Sequence, residues 1–315
     1  MSSSATRVRP SATTTGRVPA GRARPRRTAR LEPLLWLGPA LLLIGGIVLW
    51  PVVEMVLTSL REISRTGVPR GWAGADNFSA LLDHPELVPV IGRTIVWVAG
   101  IVAVTVALSL GLAQLLHARF PGRRLVRWAL IVPWAASLVM TAIVWRWMLS
   151  YFYGITNRVL TDLGVIDSPR DWLGDPTIAL LWMMWVGVFV SLPFTTYVLL
   201  AGLQTVPDEV HEAARVDGAS RWRTYWSVVF PLLKPALLVA TVINVINVFN
   251  SFPIIWAMTR GGPGNATDTT TTFMYKLAFV DQSVGQSAAM AVVNFLMVVV
   301  MVLLYLRAVR WKEIG

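Results

Sequence analysis

The chain has 315 residues, of which 55% are hydrophobic and only 14% charged, and its mean hydropathy is +0.59. A soluble domain carries roughly 25% charged residues, so most of this chain has lipid rather than water as its solvent. Cysteine is absent, which excludes disulfide, zinc-thiolate and iron–sulfur frameworks. The net charge of +11 sits in a terminal tail and at the ends of apolar runs, a membrane distribution rather than a nucleic-acid surface.

Residues 1–30 hold eight arginines among Ser, Thr, Pro, Gly and Ala, and the first acid is Glu32. With almost nothing to bury, this segment reads as a disordered basic cytoplasmic tail, and 31–315 as the transmembrane domain. A helix crosses about 30 Å of hydrocarbon with about 20 apolar residues. Six stretches satisfy this: Leu34 to Leu60, Pro89 to Leu116, Leu125 to Leu149, Ile178 to Leu203, Val228 to Trp256 and Val284 to Leu306. The first is too long for a signal-peptide core and stays in the mature protein. Pro51, Pro133 and Pro193 mark kinks that neighbouring helices tolerate.

Flanking charge orients these spans. The tail, the connection carrying His117, Arg119, Arg123, Arg124 and Arg127, and the terminal Arg307, Arg310 and Lys312 share one side. Connections 151–177 and 257–283 hold as many acids as bases or more. Lys/Arg excess marks the cytoplasm, so both termini are inside and 204–228 is cytoplasmic too.

No phosphate-binding Gly-x-x-x-x-Gly-Lys-Ser/Thr occurs, and GGPGNATD at 261–268 reads as an external turn. The ionisable residues inside these spans all lie near span ends, Glu54 and Arg146 near external ones, so no proton relay is visible. Glu54 reads first as an interface residue and second as a functional acid. If this chain moves a solute, the energy enters from elsewhere.

The cytoplasmic stretch PDEVHEAARVDG, from Pro207, starts with acids and good helix formers and ends at Gly218, suited to the positive φ of a helix end. It predicts a helix of about three turns at the membrane surface. Ala213 and Ala214 permit close approach of a partner, and Glu212 and Asp217 offer anchors for basic groups. An amphipathic interfacial helix without a partner is the competing reading. In the fifth span, Thr241, Asn244, Asn247, Asn250 and Ser251 fall on one half of a helical wheel and must face the protein interior. Two roles compete there: hydrogen-bonding glue between helices and a polar wall for sugar hydroxyls. Trp145, Trp182 and Trp185 are open to packing or to stacking on sugar faces, packing being the commoner role.

The run Glu212, Ala213, Ala214, Asp217, Gly218, Ala219, Trp222, Tyr225, Pro231 and Pro235 resembles the cytoplasmic signature loop of binding-protein-dependent ABC importer permeases. PVVEMVLTSL at 51–60, GADNF at 74–78 and MTRGGPGNATDTTTTFMYKLAF at 258–279 are similar to the sugar-type members, of the maltose- and glycerol-phosphate-type first permease. The sequence departs from that pattern at Asn250, Ser251 and Arg260. The resemblance implies an all-α membrane protein of the type I ABC importer permease fold, six transmembrane helices with a coupling helix in the loop at about 206–220. It implies a non-enzymatic subunit in a bacterial plasma (inner) membrane. The expected partners are a second, different permease, an ABC ATPase dimer carrying the ATP and Mg²⁺, and an extracytoplasmic solute-binding protein. The expected solute is a di- or oligosaccharide, with glycerol phosphate or another small polar solute as the alternative. Glu212, Ala213, Ala214, Asp217, Gly218 and Ala219 would couple to the ATPase, and Asn244, Asn247, Asn250 and Ser251 are the pathway candidates.

Overall fold

The structure is a computed structural model that describes residues 32–311. The basic tail inferred for 1–30 lies outside the described residues. The chain divides into two compact units at Val52/Val53. In the first, α1 (Glu32–Leu43) passes into a π-helical turn, Ile44–Leu49, before α2 (Trp50–Ser59) carries the chain into the second. The π turn precedes Pro51 because a proline ring clashes with the carbonyl four residues back, here that of Ile47, and a widened turn relieves the clash.

The second unit is almost wholly helical. A short hairpin of β1 (Arg61–Ile63) and β2 (Pro69–Trp72), with Arg61 opposite Trp72, leads into α3 (Asp76–Leu82). Then come α4 (Leu87–His117), α5 (Arg123–Ala135), α6 (Leu138–Met148), α7 (Ile155–Asp162) and α8 (Pro176–Gln204). The cytoplasmic candidate is α9 (Asp208–Val216), followed by α10 (Arg221–Thr224), a π-helical turn at Tyr225–Val229, and α11 (Phe230–Phe249). The chain ends through α12 (Phe252–Met258), α13 (Thr270–Phe279) and α14 (Val284–Trp311). The second π turn precedes Pro231, whose ring opposes the Ser227 carbonyl, so the device seen before Pro51 is used twice.

Among the described residues, five helices are long and apolar enough to cross a membrane: Trp36–Ser59, Leu87–His117, Pro176–Gln204, Arg221–Phe249 and Val284–Val309. The stretch 125–149, expected as one span, is instead two helices. Ala136 (ψ 144°) and Ser137 (ψ 139°) are both extended, and two such residues interrupt the i→i−4 ladder just beyond Pro133. The expected span 228–256 also breaks, at Asn250 (ψ 14°) and Ser251 (ψ 31°): Pro253, in the first turn of α12, has no N–H for the Phe249 carbonyl and its ring opposes that carbonyl. Hydropathy averages over both breaks and cannot detect them.

The packing places the site. α4 and α8 run against each other, and α11 packs on both. One core gathers Trp97 and Ile101 of α4, Met183 and Val186 of α8, Val245 and Phe249 of α11, and Ile254 and Ile255 of α12. A second, towards α9, joins Ala113 and Leu116 to Leu199, Leu203 and Leu233. At Gly202 a methyl group would stand 2.4 Å from the Ala236 Cβ, so glycine is what lets α8 and α11 approach there. The opposite flank of α4 leaves Val88, Ile95, Val96, Val104 and Leu108 exposed, the surface a lipid-facing helix presents.

Candidate functional site

The two helix breaks meet at one cavity of about 520 Å³. Trp134, Ala136 and Leu138 flank the first break; Asn244, Asn247, Asn250 and Ser251 run through the second; Ser191 and Phe194 come from α8 beside Pro193. Irregular backbone at membrane depth persists only where it is buried in protein or lines a polar cavity, because unpaired amides in hydrocarbon are costly. All four pathway candidates therefore reach one space. They divide by role. Asn244 is buried and its Nδ2 donates to the Thr195 Oγ1 of α8 at 3.4 Å. Ser251 is buried too: its Oγ donates to the Val248 carbonyl at 2.5 Å and accepts the Trp97 indole N–H at 2.9 Å. These two tie α11 to its neighbours. Asn247 and Asn250 are exposed to the cavity. Asn250 donates only to the Ile246 carbonyl one turn back, leaving its amide oxygen open. The face thus divides between interhelical bonds at Asn244 and Ser251 and cavity-facing amides at Asn247 and Asn250.

Sequence reasoning missed Trp134, Ser191 and Phe194. Ser191 and Phe194 straddle Pro193, a visible signal, whereas Trp134 was indistinguishable from the other tryptophans. Trp145 and Trp182 pack on each other (centroids 6.1 Å apart), with Trp172 edge-on to Trp182 at 5.9 Å, all three half-buried against the core. Trp185 is exposed and outside the cavity lining. Glu54 pairs with Arg61 at 3.0 Å.

On the α9 side, the helix spans nine residues, close to the three turns expected. Val210 and Ala214 turn inward, four residues apart; Glu212 and Ala213 are exposed, as are Val216, Asp217 and Gly218. The end is a left-handed cap. Gly218 has φ +73°, which lets the Ala219 N–H return to the Ala214 carbonyl (3.0 Å) while the Gly218 N–H reaches that of Arg215 (3.1 Å). Ser220 then starts the next helix by accepting the Arg223 N–H at 3.3 Å. Among the coupling candidates only Ala214 is buried, at 7% exposure, so its methyl is not presented outward.

The loop 259–269 is more than a turn. Thr259 and Thr267 bond through their hydroxyls (2.9 Å), the Thr267 hydroxyl also reaches the Gly262 carbonyl (2.6 Å), and Arg93 donates to the Asn265 carbonyl. The Thr270 N–H donates to Thr94 of α4 at 2.9 Å. Asp268 is buried against Lys276 at 2.6 Å. Burial pushes the Asp268 carboxyl above the usual carboxylate range, and the Lys276 ammonium opposes that rise without cancelling it. No cluster of metal-ligating side chains occurs among the described residues.

Residues 103–313 match the family described as "Binding-protein-dependent transport system inner membrane component". The chain is 40% identical to a probable ABC transporter permease protein of Brucella suis biovar 1, over 88% of this chain and 96% of that one. It is 34% identical to the trehalose/maltose transport system permease protein MalF of Thermococcus litoralis, over 91% and 96%. A bacterial ABC transporter involved in the import of the acidic polysaccharide alginate has a chain of the same fold, with TM-score 0.78 at 19% identity, covering 90% of this chain and 98% of that one.

Proposed function

The chain belongs to the inner-membrane components of binding-protein-dependent transport systems, multi-pass and non-catalytic ABC transporter permeases, and from that premise we propose that it translocates a di- or oligosaccharide. The observation that carries this reading is the cavity at the two helix breaks. Its polar lining consists of neutral amides and hydroxyls, with Trp134 and Phe194 as faces for sugar rings, and neither Lys nor Arg contributes to it. Glycosyl hydroxyls are both donors and acceptors, as is a carboxamide, whereas a phosphate ester calls for cations. The trehalose/maltose relative supports the same solute class.

In this reading α5 and α6 together form the sixth crossing, interrupted at Ala136–Ser137, which makes the type I importer fold. Both termini and α9 are cytoplasmic. α9 is the coupling helix: Glu212, Ala213 and Asp217 face the ATPase, Ala214 seats the helix on its own chain, and Gly218 and Ala219 set its exit. The energy comes from ATP and Mg²⁺ on a partner ATPase dimer. A second, different permease completes the pathway, and an extracytoplasmic binding protein delivers the solute. Alternating access follows, with ATPase closure displacing α9 and the attached helices opening the cavity outward. The test is uptake of a radiolabelled saccharide panel, beside glycerol phosphate, by proteoliposomes holding the assembled transporter. Transport of the phosphorylated solute with no saccharide taken up would overturn the sugar reading.

A further inference from the structure

Beneath α9 lies a second cavity, about 320 Å³, lined by Gln114 at the end of α4, His211 and Arg215 of α9, and Arg221, Thr224 and Tyr225 at the foot of the helix that becomes α11. Its charge is one-sided. Two arginines and a histidine line it, and none of its lining residues is an acid. The acids of α9 do not turn towards it: Asp208, Glu209, Glu212 and Asp217 are exposed, and none forms an ion pair among the described residues. Arg215 spends only its Nε, on the His211 carbonyl at 3.4 Å, and the Arg221 guanidinium has no protein partner among the described residues. A helix that keeps its anionic side outward and its cations over a concavity has a missing counter-charge.

The depth of the cavity indicates what supplies it. Trp222 and Trp226 follow Arg221 on the same helix, are 72% and 44% exposed, and stack edge-on with centroids 5.6 Å apart. Exposed tryptophans flanking an apolar span sit at headgroup level. The π-helical turn begins at Tyr225 and ends at Val229, and both residues line the cavity, so the widened turn helps to open it. Basic concavities between helices at the membrane surface suit anionic headgroups.

We infer that this cavity is a binding site for a phosphate group, carried by an anionic phospholipid headgroup, held by Arg215, Arg221 and His211. Guanidinium forks bind phosphate oxygens bidentately, and a single phosphate here would tie α9 to α10 at the foot of α11, beside Gln114 of α4. It would thus stiffen the connection through which α9 moves. The cytoplasmic leaflet as the source of the lipid rests on the orientation proposed above; binding itself does not.

The test uses the full chain purified in a zwitterionic detergent. Native mass spectrometry counts lipids retained after incubation with phosphatidylglycerol or phosphatidylcholine, and titration with inorganic phosphate runs in parallel. The expected result is preferential retention of one phosphatidylglycerol. Arg215→Gln/Arg221→Gln should weaken it about tenfold or more, the loss of at least one charge-assisted contact. Arg119→Gln/Arg223→Gln removes the same charge outside the cavity and should leave retention unchanged. Binding of inorganic phosphate with the same residue dependence, but no lipid preference, would keep the site and assign it to a free phosphate. Equal losses in both double variants would reduce the effect to diffuse surface charge and overturn the site, as would binding of neither probe. If the first double variant loses its monodisperse elution, His211→Gln and Arg221→Lys provide the graded comparison, the lysine retaining charge but losing the fork.

Discussion

Replacing Gly218 tests the coupling role of α9 with few confounding effects. A Cβ built there meets nothing within 4 Å, so no substitution is penalised by collision. The penalty is conformational alone, because φ is +73°. An ordinary L-residue in the left-handed region costs about 1–2 kcal/mol, Asn costs less, and a β-branched residue more. With about 1.4 kcal/mol per tenfold, Gly218→Ala should enrich loops with a misdirected exit by roughly five- to thirtyfold. Gly218→Asn should fall below that range and Gly218→Val above it. The affected bond is the Ala219 N–H to the Ala214 carbonyl, so amide exchange at Ala219 should accelerate in the order Asn, Ala, Val. Co-purification of the ATPase and solute transported per ATP hydrolysed should decline in that same order, with membrane insertion unchanged. Faster exchange at Ala219 with wild-type coupling throughout the series would separate the turn from function and refute α9 as the coupling element.

The cavity asparagines should diverge. Asn247→Leu should lower uptake with the complex assembled, whereas Asn244→Leu should reduce thermal stability through its bond to Thr195, by about 0.6 kcal/mol, the mean for interhelical polar bonds in membranes; matching phenotypes would defeat the division of roles. For orientation, Val216→Cys should react with an impermeant maleimide only from the cytoplasmic side and become shielded once the ATPase binds, and Asp281→Cys should react only from outside. Asp268 has a folded pKa above its unfolded value, so the folded state binds its proton more tightly. The contribution of Asp268 to stability is therefore most favourable below the unfolded value and declines as pH rises from there through the folded one. Subtracting the melting profile of Asp268→Asn from that of the wild type should expose this slope, and a flat difference would refute it. Gly202→Ala, whose methyl meets Ala236 and Leu233 at 2.4 and 2.9 Å, should part α8 from α11 and lower the melting temperature, while Gly187→Ala, opposed only by the mobile end of Ile101, should be milder.

Much of this protein is local and therefore legible in one dimension. Long apolar runs fix five membrane-length helices because twenty apolar residues in series have few other stable fates. Acids, alanines and a glycine at the right offsets specify α9 and its left-handed exit, since caps are decided within six residues. The signature loop specified the family for the same reason, being a contiguous surface. The breaks at Ala136–Ser137 and Asn250–Ser251 escaped because irregular backbone at membrane depth is stable only when a neighbour supplies a cavity. That neighbour, α8 with Pro193, lies far from both breaks along the chain. The same distance hid which asparagines are glue and which are wall: Asn244 and Asn247 are one turn apart on one helix, and only the position of Thr195 on another makes the first a structural bond and leaves the second open. Periodicity assigns a residue to a face of its helix, and the packing of that helix against others decides what the face meets.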